Sequence, residues 1–102
     1  MRSSFTNWLR IAALLPKIGS VAFHGTAICP ECGDHQLDFL YVADPGSRIG
    51  YLLVWCPVCH VGIRVSRVAV PTGFQSVTFE AVEQGKIELP KFVEVQPAGS
   101  EI

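Results

Sequence analysis

The chain predicts a small, mainly β domain in which three antiparallel strands follow an N-terminal helix. Three observations carry that expectation. All four cysteines fall in two near-copies of one motif, Cys29-Pro30-Glu31-Cys32 and Cys56-Pro57-Val58-Cys59. Between and after the copies run the β-rich stretches LDFLYVA, YLLVW and VGIRVSRVAV, the first two joined by the turn signal Asp44-Pro45-Gly46. Ahead of them, residues 3–15 repeat their apolar side chains at helical spacing.

The helix is expected to start at Ser3 or Ser4 as N-cap and to end at Pro16. Phe5, Trp8, Leu9, Ala12 and Leu15 share one face, and Ile11, Leu14 and Ile18 widen it. Such a helix docks on the body of the domain or offers Trp8, Leu9, Ile11 and Leu15 to a partner. Residues 1–20 are thus an N-terminal amphipathic unit. Residues 21–73 are the organised centre: Val21 to Ala27 as a short strand, Leu37 to Ala43 and Tyr51 to Trp55 as a hairpin, and Val61 to Val70 as a third strand. Residues 74–102 form a C-terminal extension. Its VTFEAV suits a strand or a short helix, KIELPKFVEV is extended with Pro90 confining it to an edge, and QPAGSEI is an end segment.

With 102 residues, 49% apolar and 17% charged, the chain is one domain with enough apolar content to fold. A net charge of −1 supplies no broad basic surface for nucleic acid. At the N-terminus the uninterrupted apolar run is only Ile11 to Leu15. Leader cores need about 7–15 residues and membrane spans about 20, so neither a leader nor a transmembrane segment is expected. The expectation is a cytoplasmic protein, where paired thiols stay reduced and serve as metal ligands more often than as disulfides.

Cys29, Cys32, Cys56 and Cys59 read C-x2-C, a 23-residue gap, C-x2-C. Two local disulfides would use both motifs, and a thioredoxin-type redox site needs one such pair at a helix start within a βαβ framework. A matched pair bridged by a hairpin instead brings four sulfurs to one ion. Pro30 and Pro57 preset the turn between the paired cysteines. Gly33 supplies a residue free to take positive φ after the first pair, and His60 must fill the same place after the second.

CPECG and CPVCH resemble the paired knuckles of the zinc-ribbon family, with His60 departing from the usual glycine. The likeness covers roughly residues 21–70. It implies a three-stranded antiparallel zinc ribbon holding one Zn²⁺ per chain, with no catalysis at the metal. The knuckles are also similar to those of rubredoxins, which hold iron and carry single electrons, and YVADPG is faintly like a rubredoxin segment. Ligand type and spacing favour zinc, with iron second. Four thiolates close the coordination shell, and structural zinc adds on the order of 10–16 kcal/mol to folding in small zinc peptides. The thiolate-bound ion keeps a charge of about −2, which Arg48, Arg64 or His60 would offset.

His24, His35 and His60 read as surface residues, and Asp34, Asp38 and Asp44 as turn and strand-surface residues rather than acid–base catalysts. No enzyme motif is present, so the chain is expected to be non-catalytic. Arg48, Tyr51, Arg64 and Arg67 form a candidate recognition patch for single-stranded nucleic acid, set against an ordinary solvated sheet face. The reading is a zinc-stabilised module that binds protein, as subunit or adaptor of an assembly. Nucleic-acid binding stands second and electron transfer third. Nothing in the residues indicates an oligomeric state.

Overall fold

The structure, a computed structural model, describes residues 5–95 apart from the side chains of Ser20, Val21 and His24. The expected caps Ser3 and Ser4 and the final QPAGSEI lie outside the described residues.

Helix α1 runs Phe5–Thr26, which corrects two expectations. It was to end at Pro16, and Val21 to Ala27 was to be a strand. Pro16 only forfeits the bond its missing N–H would make to Ala12. The helix therefore passes it and breaks once, at Gly19, where φ is 83° and ψ 164°. Beyond the break, burial decides the conformation. Phe23 is fully buried and Ala27 nearly so, alongside Trp8, Ala12 and Leu15 from the first part. Tertiary burial of that stripe outweighs the strand-like composition.

Strands β1 (Asp38–Ala43), β2 (Ile49–Cys56) and β3 (Val61–Ala69) pair antiparallel in sequence order. The turn between β1 and β2 is closed by Asp44, whose carboxylate accepts N–H bonds from Gly46 at 3.0 Å and Ser47 at 2.8 Å. A fourth strand, β4 (Val93–Glu94), joins β3 in parallel. The sheet is therefore mixed, not three antiparallel strands alone. After Pro90 the extended chain reaches the free edge of β3. There the Val93 and Val95 N–H groups donate to His60 and Gly62 carbonyls, each at 2.8 Å.

The two-residue alternation of a strand sorts the sheet into two covered faces. Leu37, Tyr41, Leu52, Val54, Cys56 and Ile63 join the cluster that buries the apolar stripe of α1. On the other face Val42 and Leu53 are buried. The C-terminal extension covers that face. Phe79, first residue of helix α2 (Phe79–Glu83), meets Tyr51 at 6.0 Å between ring centres, and Phe92 stacks on Trp55 at 6.1 Å.

Candidate metal centre

The first pair of cysteines follows α1 directly. Ala27 donates to the Phe23 carbonyl as the helix ends, and the chain then turns so that Cys29 N–H bonds Asp34 O at 2.8 Å and Gly33 N–H bonds Cys29 O at 2.9 Å. The second pair caps the β2–β3 hairpin: Cys56 ends β2, and His60 N–H returns to Cys56 O at 2.9 Å. The two turns match. Gly33 takes φ 78° in the first and His60 takes φ 60° in the second. Sequence position alone had assigned His60 that place.

Across the knuckles, Cys29 Sγ lies 3.6 Å from Cys59 Sγ, and Cys32 Sγ lies 3.7 Å from Cys56 Sγ. All four sulfurs fall within 4.8 Å of one another. Zinc–sulfur bonds of about 2.3 Å in a tetrahedron give sulfur–sulfur edges of about 3.8 Å. Disulfide sulfurs would stand about 2.05 Å apart, and these are free thiols. The donor set and its spacing fit a four-coordinate metal ion. Cys29 and Cys56 are buried, Cys59 is half-buried and Cys32 is exposed.

The protons on these sulfurs show why an ion belongs among them. Burial pushes the Cys29 thiol up, against N–H bonds from Cys32 and Glu31. Burial acts the same way on Cys56, but the N–H groups of Cys59 and Val58 and the sulfurs of Cys32 and Cys59 together hold it below the ordinary value. Burial, then the sulfurs of Cys29, Cys56 and Cys32, push Cys59 up to about 12. Four sulfurs so close cannot all ionise beside one another. A cation at their centre removes that conflict.

Among the described residues, no histidine or carboxylate joins the four cysteines. The side chain of His24 lies outside them, and His35 and His60 are exposed. The arginines and tyrosine singled out from sequence have separate engagements. Arg48 Nη2 donates to the Phe74 carbonyl at 2.8 Å, Tyr51 rests on Phe79, and Arg64 faces Glu94 at 3.9 Å. Arg67 occupies a bulge with φ 57°, because Tyr51 pairs with Ser66 while Gly50 pairs with Val68. Of the helix residues, Trp8 and Leu15 are fully buried, Ile11 partly, and Leu9 is exposed.

One contact was not legible in the sequence. The Trp8 indole N–H donates to Glu31 Oε2 at 3.1 Å, joining α1 to the tip of the first knuckle. The helical pattern marks Trp8 as buried, but nothing in the spacing pairs it with residue 31. Elsewhere, α1 and the sheet leave an apolar groove of about 320 Å³ lined by Leu9, Ala12, Pro16, Val65 and Val68. Among the described residues no helix is long and apolar enough to cross a membrane. No known protein family, curated protein or solved structure matches the chain.

Proposed function

We propose that the chain is a non-catalytic protein-interaction module whose fold is held by one zinc ion. The observation that carries this reading is the set of four cysteine sulfurs within 4.8 Å. Four thiolates complete a tetrahedral shell and leave no position for water or substrate, which is the pattern of structural zinc. Cys29, Cys32, Cys56 and Cys59 would hold the ion, and its bound form supplies cross-linking rather than chemistry. A protein partner is supported by exposed apolar side chains near the knuckles. Ile28 before Cys29 is 49% exposed and Val58 between the second pair 50%. Apolar exposure of this kind at one end of a small domain favours a protein surface over a polyanion.

Metal content and an absorption spectrum on protein purified under reducing conditions test the reading. The expected result is one zinc per chain, no visible colour, and loss of the circular dichroism signal on chelation. One iron with a reversible red spectrum would replace it with an electron carrier. Binding to single-stranded RNA or DNA that weakens steeply with salt would turn the module toward nucleic acid.

A further inference from the structure

We propose that Glu31 couples the metal centre to helix α1, so that the ion in the knuckles and the docking of the helix support each other. The inference rests on the structural-zinc reading above. Glu31 faces both ways: its backbone N–H donates to Cys29 Sγ at 3.3 Å, while its carboxylate accepts the Trp8 indole N–H at 3.1 Å. The sulfur orients the peptide at residue 31, and that peptide sets where the carboxylate points. Trp8 is fully buried, so its N–H has to find an acceptor inside the fold or lose a hydrogen bond.

An acidic residue in the knuckle is otherwise unfavourable. The four-thiolate zinc centre carries about −2, and a carboxylate two residues from a ligand adds like charge. The indole donor offsets that repulsion, which gives Glu31 a role that an ordinary surface glutamate would lack. Helix α1 is also tied at its other end, since its last turn leads through Ala27 into Cys29. Both ends of the helix thus meet the same knuckle. By linkage, whatever docks α1 more firmly retains the ion longer, and the ion docks α1.

The test uses the zinc-loaded full chain, timing zinc release to a chromogenic chelator for wild type, Trp8→Phe, Glu31→Ala and the double variant. Each single change is expected to speed release roughly tenfold, the loss of one charge-assisted hydrogen bond. The double variant is expected to release no faster than either single one, because both remove the same link. Glu31→Gln, whose amide oxygen still accepts from the indole, should restore most of the retention. In a Trp55→Phe background, acrylamide should quench Trp8 more strongly once Glu31 is alanine. Multiplying effects in the double variant would overturn the coupling. So would equal release rates in a protein that unfolds on chelation, and that result leaves the structural ion standing. A chain that keeps its fold unchanged on chelation overturns both readings.

Discussion

Two residues at equivalent places in the knuckles carry opposite conformational costs. Gly33 takes φ 78° freely, whereas His60 takes φ 60° with a side chain attached. The left-handed region costs an L-residue roughly 1–2 kcal/mol. Nothing lies within 4 Å of a Cβ built on Gly33, so Gly33→Ala should lose about 1 kcal/mol through the backbone alone. His60→Gly should change stability little or raise it by under about 1 kcal/mol, since added chain entropy offsets relieved strain. Thermal unfolding of the zinc-loaded variants reads both. Gly62 is constrained differently. It sits opposite Trp55 in the ladder, and a Cβ there would meet the Val54 carbonyl and come within 2.7 Å of Trp55 Cβ. Backbone cannot yield as a flexible side chain does, so Gly62→Ala is expected to lose at least about 2 kcal/mol in urea unfolding. Asp44 gives a pH signature. Its carboxyl is held below the usual range chiefly by the Ser47 N–H, with desolvation opposing and Gly46 N–H assisting. The turn is therefore supported above the ordinary carboxylate pKa and loses that support as pH falls through the lowered value. An NMR titration should place the Asp44 midpoint below that of an aspartate in an unstructured peptide.

Among the elements, the C-terminal extension shows how a weakly patterned segment finds its place. Thr78 caps α2 by accepting the Ala81 N–H at 3.0 Å, and Thr78→Ala should cost about 1 kcal/mol. Phe92→Ala removes the stacked ring from Trp55 and should cost about 1–2 kcal/mol, with Trp55 fluorescence shifting toward that of a solvated indole. Both knuckles, the β1–β2 hairpin and the third strand were legible because cysteine spacing, turn residues and alternation all agree there. The helix boundary was not. Pro16 and Val21 to Ala27 carry local signals for an end and a strand, and the core reversed both by burying Phe23 and Ala27. The extended, edge-confined reading of KIELPKFVEV anticipated β4 at a sheet edge but not its parallel pairing with β3, because a two-residue pairing leaves no alternation to read. The bulge at Arg67 was equally hidden, since it depends on the β2 residues opposite. Three positions apart, Arg64 and Arg67 would point to opposite faces of a regular strand, and the bulge ends that regularity.

For the whole molecule, the packed faces surround a sheet whose knuckle end carries the four-cysteine site. The sheet is covered by α1 on one side and by Phe79 and Phe92 on the other, and the radius of gyration is 13.6 Å. Compact chains of about 100 residues have values near 13 Å, so α1 lies against the body and does not project from it. Zinc affinity should fall as pH falls, because each thiol must give up its proton to bind, Cys59 most reluctantly. A competition titration across pH 6–8 reads the slope (about three protons or more expected if most thiols start protonated). The placement of the two cysteine pairs also makes the site a long-range closure of the chain. Cys56 and Cys59 lie within one contiguous hairpin, whose closure is local and fast. Cys29 and Cys32 must arrive from across a chain loop, with Cys32 and Cys56 separated by 24 positions. Each pair is a bidentate chelate made within one turn, closed by Gly33 N–H to Cys29 O in the first and by His60 N–H to Cys56 O in the second. An ion held by both pairs would close that loop and pin the end of α1 to the β2–β3 hairpin.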